Sequence, residues 1–265
     1  MKPLRVALSG CGFRLPAHVG ALQAIQDGRR RIIELAGTSG GAIVAALYAC
    51  GMSLVEMRQI CLEMDWSPMM GLSCGSILSG RGLSSGNRML SFLMDCTRGK
   101  TFAQVSIDLR IIAADLMTER EFVFDRQNTP DVPVALAARA SASIPIVYEA
   151  VRYDGHVLVD GGTTDNMPAS NLIVDDVPRF GVYLDTGTTP LAPGRSRIWD
   201  LGPRIIDLML SSNELTHMTL DQDTGAQIVH VPTGYASSFD RRMPRGTRLR
   251  LYKDGKDAVA KALAA

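Results

Sequence analysis

The chain has 265 residues, 46% hydrophobic and 21% charged, which is the range of a folded globular protein and excludes a disordered or collagen-like one. Its 28 Lys and Arg against 27 Asp and Glu leave a net charge of +1, too weak a field to gather a polyanion, so nucleic acid is not an expected partner. The longest mostly apolar stretch, 42–52, is about half of the roughly 20 residues a spanning helix needs, so no transmembrane segment is expected.

Residues 1–10 carry too short an apolar run for a secretory signal. The five cysteines are odd in number and lack any C-x-x-C pair, so neither a disulfide framework nor a zinc site is expected. Together these point to the cytoplasm, or to export without a cleavable signal peptide. Neither the sequence pattern nor the charge fixes an oligomeric state.

In chain order, 4–9 reads as a buried strand, 10–15 as a glycine-rich turn and 16–25 as a helix with Pro16 at its start. A second strand over 32–36 turns through Gly37 to Gly41 into a small-residue helix over 42–50, with Gly51 placed to end it. Leu54, Met57, Cys61 and Met64 recur at helical spacing, and 66–86 reads as loop. Strands follow at 109–114 and 122–124, then a helix over 134–142. Asp154-Gly155 suits a two-residue hairpin turn between strands over 146–152 and 156–159. Loop at 186–197, strands over 180–184 and 228–231, and helices over 198–218 and 256–264 complete the pattern. Strand–turn–helix alternation without repeats predicts one continuous α/β domain over 1–265, with a mostly parallel central sheet.

Gly37-Thr38-Ser39-Gly40-Gly41 fits G-x-S-x-G between a strand and a helix. In that form the glycines let strand and helix approach while the serine Oγ projects outward, and the N-terminus of the following helix points at the forming oxyanion. A glycine-rich turn with Ser39 as a plain N-cap is the bland reading; the flanking strand and helix favour a nucleophile. A serine nucleophile needs a base. For His18, His156, His217 and His230 a packing or surface role weighs more, although His217 or His230 has the right chain order. Asp160, in Val159-Asp160-Gly161-Gly162 at a strand exit, is the other candidate, because burial there raises a carboxyl pKa toward that of a useful base. A routine turn is its bland reading.

Ser9-Gly10-Cys11-Gly12-Phe13-Arg14-Leu15 also lies between a strand and a helix and presents amide N–H groups as a nest for an anion. Leu15 stands where a dinucleotide fingerprint needs its third glycine, and a Gly-Lys-Ser/Thr phosphate loop is missing, which leaves an oxyanion hole. Arg14 reads equally as a phosphate contact and as a structural ion pair.

In this order the glycine loop, the serine turn and the Asp-Gly-Gly motif resemble the patatin-like phospholipase family. Arg139-Ala140-Ser141-Ala142-Ser143-Ile144-Pro145 and Asp165-Asn166-Met167-Pro168 are similar to the family's segments around its catalytic aspartate. The resemblance covers 5–185, with the remaining helices and strand in 186–265. It implies a three-layer α/β fold with helices on both faces of the sheet, and a Ser39–Asp160 dyad rather than a triad. It also implies an oxyanion hole from amides near Gly10, Cys11 and Gly12, and hydrolysis of phospholipid, lysophospholipid or related acyl esters without metal or cofactor. Cys11 and Leu15 occupy positions the family commonly fills with glycine. A non-catalytic lipid-binding or effector module, or an acyltransferase on the same dyad, are therefore the alternatives.

Two weaker signals remain. The apolar stretch 66–72 reads first as ordinary packing, and otherwise as an acyl-chain entrance or a flexible cap over the site. Six cations from Arg241 to Lys253, with no acid among them, read as a solvated surface or as a peripheral membrane contact.

Overall fold

The computed structural model describes residues 1–186 and 221–265, with Leu208 and Thr219 between them. The chain opens as its pattern predicts, with β1 (Lys2–Leu8), α1 (Leu15–Asp27), β2 (Arg30–Thr38) and α2 (Gly40–Ala49). Next comes α3 (Leu54–Glu63), started by a capping box in which the Ser53 hydroxyl accepts the Glu56 amide and the Glu56 carboxylate accepts the Ser53 amide. The segment expected as loop contains a 3₁₀ turn (Ser67–Met70) and a short helix, α4 (Cys74–Leu78). The following α5 (Asn87–Thr97) has no counterpart among the expected elements. It begins at Gly86 with a left-handed φ of 68° and no side-chain cap, so its sequence carries no start signal.

The rest comprises β3 (Asp108–Asp115), β4 (Arg120–Phe124), α6 (Val134–Ser141), β5 (Val151–Tyr153), β6 (His156–Asp160), β7 (Arg179–Asp185), β8 (Ala226–Pro232) and α7 (Arg245–Ala264). The β5–β6 turn has positive φ at both Asp154 (45°) and Gly155 (81°), as a type I′ hairpin requires. β5 is shorter than expected because the backbone of 146–149 bonds elsewhere: Leu83 and Ser84 donate to Ile146 and Val147, and Glu149 donates to Ser84. α7 starts earlier than the expected 256. Its first turns are cationic rather than periodic, and Leu251, Tyr252, Gly255 and Val259 bury against the core. Backbone meets backbone where it crosses α1: a side chain on Gly20 would strike Tyr252 O, and one on Gly255 would strike Ala17 O. The helix expected over 198–218, with His217, and the loop over 187–197 lie outside the described residues, apart from Leu208.

Among the described residues one sheet holds eight strands in the order β5-β6-β3-β2-β1-β7-β8, with β4 paired to β3. β3-β2-β1-β7-β8 is parallel throughout, while β4, β5 and β6 join antiparallel. Leu4, Val6 and Leu8 of β1 face a large core gathered with α1, α2, α3, α5, α6 and α7. The alternate Ala7, with Ala36 of β2, faces a smaller cluster closed by Met167, Ala169 and Leu172. No helix of the described residues is long and apolar enough to cross a membrane.

The topology sets two chain ends together. β3 pairs β2 through Thr38↔Ile112 and, one residue on, pairs β6 through Ala113↔Asp160. Because β4 pairs Ile111 to Asp115 along the other edge, β2 and β6 must lie end to end on the same edge. The residue leaving β2 is Ser39 and the last residue of β6 is Asp160.

Candidate active site

Ser39 sits between β2 and α2 at φ 53°, ψ −122°, a left-handed conformation that costs a non-glycine residue about 1–3 kcal/mol. The turn is held in that shape by close packing. A Cβ on Gly37 would lie 2.8 Å from Ala42 Cα, and one on Gly41 would strike the carbonyl oxygens of Leu8 and Ser9. Only glycine lets the turn and β1 approach so closely.

The Ser39 hydroxyl donates to Asp160 Oδ2 at 2.7 Å, and the Gly162 amide donates to Asp160 Oδ1 at 2.8 Å. Gly161 makes the second close approach, since a side chain there would strike Ile112 O. Asp160 has no exposed surface. Burial pushes its pKa up to about 7, opposed by the Ser39 hydroxyl and the Gly162 amide. A carboxyl group titrating there switches between proton acceptor and donor near neutrality.

The glycine loop closes the site from the β1 side. A Cβ on Gly10 would lie 3.4 Å from Ser39 Cβ, and one on Gly40 would lie 3.2 Å from Gly12 N. The Gly10 amide is used, donating to Asn166 O at 2.9 Å. Among the described residues no acceptor meets the amides of Cys11 or Gly12. Two amides without an acceptor thus belong to a loop that packs against the serine turn and the first residue of α2.

A model of the family described as patatin-like phospholipase matches residues 6–173. An uncharacterized protein of Acanthamoeba polyphaga mimivirus is 30% identical over 186 residues, covering 66% of this chain and 62% of that protein. An uncharacterized NTE family protein of Mycobacterium tuberculosis is 31% identical over 163 residues, covering 62% and 43%. A protein of Invertebrate iridescent virus 6 named "Probable lipid hydrolase 463L" is 25% identical, covering 62% and 61%. The match thus spans less than two thirds of each of these relatives. The fold is that of VipD from Legionella pneumophila, with a TM-score of 0.71 at 13% identity over 99% of this chain and 66% of that one. ExoU of the Pseudomonas aeruginosa type III secretion system, solved with SpcU, gives 0.56 at 18% identity over 100% and 52%. The chain belongs to the patatin-like phospholipase family.

In this patatin-like chain the two positions commonly glycine in the family are accommodated without left-handed backbone. The only positive φ in the loop falls on Gly12, at 54°. Cys11 turns its side chain into the core, where burial pushes the thiol pKa up to about 12 and keeps it neutral. Leu15 begins α1 and is buried. Arg14 is buried too, donating to Cys11 O, Asp185 O and Thr233 Oγ1. It ties the loop to the ends of β7 and β8.

A second layer of residues comes from the Arg139 to Pro145 segment that carries part of the family resemblance. The Ser141 hydroxyl accepts the Ser39 amide at 2.8 Å and donates to Ile112 O at 2.5 Å, so α6 holds the strained turn. Ser143 O accepts the Asp160 amide at 3.0 Å. Its hydroxyl is bound by Arg139, a buried guanidinium that also donates to the carbonyls of Ser85, Gly86 and Glu149. Ser141 ends α6 and Ser143 lies just past its C-cap, and the resemblance of 139–145 is the available signal.

The described histidines bind other groups. His18 Nε2 meets Ser9 O at 2.8 Å, and burial lowers its pKa to about 4. His156 pairs with Asp115 and His230 with Asp185, each at 2.9 Å. Among the described residues no cluster of His, Cys, Asp or Glu is arranged to hold a metal ion. Beside the loop runs a crevice of about 30 Å³, lined by Gly12, Phe13, Ile43, Trp66, Met69 and Met89 among others. Of the six cations near the C-terminus, one is buried and the others reach the surface. Arg248 is buried on the carbonyls of Leu62, Met64 and Met243, and Arg245 pairs with Glu63.

Proposed function

We propose that this chain is a serine acyl-ester hydrolase that releases fatty acid from phospholipid, lysophospholipid or a related lipid. The 2.7 Å hydrogen bond from Ser39 to a fully buried carboxyl group carries the reading. Ser39 Oγ attacks the ester carbonyl as Asp160 Oδ2 takes its proton, and the negative charge forming on the carbonyl oxygen meets the amides of Cys11 and Gly12. Collapse breaks the ester C–O bond, and Asp160 returns the proton to the leaving alcohol. Water then attacks the acyl-serine with Asp160 again as base, releasing fatty acid and free Ser39. No metal or cofactor takes part in these steps.

The acyl chain would lie in the crevice beside Gly12. At about 30 Å³ it must widen to admit one, and the flexible Met69 and Met89 side chains suit that task. The reading as an inert lipid-binding module loses its physical motive, since neither Cys11 nor Leu15 strains the loop. An acyltransferase would share the first half-reaction, and product analysis with and without added alcohol separates it.

The test is covalent labelling by a fluorophosphonate together with hydrolysis of a panel of diacylphospholipid, lysophospholipid, neutral glyceride and short soluble ester. Wild type should label and turn over at least one ester, and Ser39→Ala should do neither. An unlabelled wild type, inert on every substrate, refutes the proposal.

A further inference from the structure

Five large apolar side chains stand out from one small region. Leu72 is 76% exposed, Leu78 88% and Ile146 71%, with Ile77 and Leu83 also open. Backbone hydrogen bonds gather them: the Ser73 amide donates to Leu83 O, Ile77 to Ser73 O, and Leu83 to Ile146 O. Exposed apolar side chains gathered on one region of backbone mark a contact with something apolar.

Ile146 adds an independent sign. It is β-branched yet has φ 72°, a strained conformation that a buried contact would ordinarily explain, and its side chain points to solvent.

The charges around the patch favour an anionic lipid surface over a protein. From Trp66 to Met94 there is no Asp or Glu, while Arg81 and Arg88 lie exposed within the stretch. Arg241 and Arg242 lean onto the same segment, donating to Met70 O and Ser67 Oγ. The nearby acids are engaged: Glu149 lies 3.6 Å from Arg81, and Asp65 and Asp240 accept the amides of Ser67 and Arg242. A protein-docking patch would be rimmed by both signs. An apolar cluster with exposed arginines, whose neighbouring acids are already engaged, fits acyl chains beneath a layer of phosphates. Trp66 and Met69, at the start of the same segment of chain, line the crevice.

We propose that Leu72, Ile77, Leu78, Leu83 and Ile146 insert into the surface of an anionic lipid bilayer, with Arg81 and Arg88 on its phosphates. Docked in this way, the crevice opens toward the membrane, so an acyl chain reaches Ser39 without crossing water. Only this last consequence rests on the hydrolase reading; the docking itself requires no turnover.

The test is sedimentation with vesicles of phosphatidylcholine containing phosphatidylglycerol, against vesicles of phosphatidylcholine alone. Wild type and Ser39→Ala should bind the mixed vesicles equally and the zwitterionic ones more weakly. The double variant Leu72→Asp/Leu78→Asp should lose at least about tenfold in binding, since each leucine removed from the apolar phase forfeits its transfer free energy. Its thermal midpoint should be unchanged, because both side chains are exposed. Failure of wild type to sediment with mixed vesicles, equal binding to both compositions, or undiminished binding of the double variant would overturn the proposal. So would a wild-type dimer that the double variant dissociates. Hydrolysis of a short soluble ester by wild type, measured separately, tests the hydrolase reading alone.

Discussion

The serine turn and the 66–86 segment solve opposite problems with the same backbone. At the turn, every polar atom that matters is fixed from two sides: Ser39 by Asp160 and Ser141, Asp160 by Ser39, Gly162 and Ser143. In the 66–86 segment Trp66, Ser76 and Ser84 are buried, while Leu72, Ile77, Leu78 and Leu83 stand outward on a backbone held by hydrogen bonds. The contrast separates a chemical centre, which needs sub-ångström placement, from a contact surface, which needs adaptable apolar area.

Asp160→Asn tests the rigid region most severely. It should lower ester hydrolysis by about 10⁴-fold, the scale of losing the group that governs a serine nucleophile's proton. Stability should move the other way. A carboxyl whose pKa is raised from 3.8 to about 7 in the folded state disfavours folding progressively as pH rises from about 4 to 7. Asn removes that penalty, so the variant should be more stable than wild type at pH 8, by about 1–4 kcal/mol, and show no gain at pH 4. An activity loss without a pH-dependent stability gain would mean that Asp160 is not a raised, buried acid.

Ser141→Ala should have the next largest effect. It leaves the Ser39 amide without an acceptor and Ile112 O short of a donor, costing about 1–3 kcal/mol of stability. The turn should then sample other conformations, lowering kcat by about 10- to 100-fold with little change in KM. Ser141→Thr, which restores the hydroxyl, should recover part of the loss. If KM rises while kcat holds, Ser141 serves substrate binding rather than the nucleophile's position.

The pH profile sharpens the same point with a smaller effect. Because the base form of Asp160 dominates only above about pH 7, kcat/KM should rise about tenfold per pH unit below that value and level off above it. His230→Ala should leave the curve in place, since His230 is exposed and bound to Asp185. A curve that flattens in that variant would transfer the base role to imidazole.

How much of this was readable beforehand follows the same divide. Elements bound by strong local signals stand within a few residues of where the pattern puts them: β1, β2 and α2 around their glycines, and the hairpin turn at Asp154-Gly155. Ser39 and Asp160 were nameable because glycines leave a mark in sequence wherever backbones touch. Their meeting was not derivable locally, since it depends on β2 and β6 sharing one edge of β3. The segment holding Ser141 and Ser143 is marked by resemblance alone, which gives neither serine its role, and α5 starts at a glycine rather than a cap. The 146–149 segment reads as a strand until Leu83 and Ser84 claim its backbone.

That claim supplies the smallest and most local expectation. Ile146 holds a left-handed φ of 72° while its carbonyl accepts the Leu83 amide, and its side chain buries little to offset the strain. Glycine adopts this φ freely but loses more entropy on folding, by about 0.5–1 kcal/mol, so Ile146→Gly should stabilise the protein by only about 1 kcal/mol or less. For a chain of this length that is an increase of about 1–3 °C in the thermal midpoint. The same variant should bind mixed vesicles more weakly, because it removes one apolar side chain from the patch. Higher stability with weaker docking would identify the strain as the cost of holding a branched side chain outward. Lower stability would mean that Ile146 makes a packing contact in the free protein, and the exposed patch would lose one of its five members.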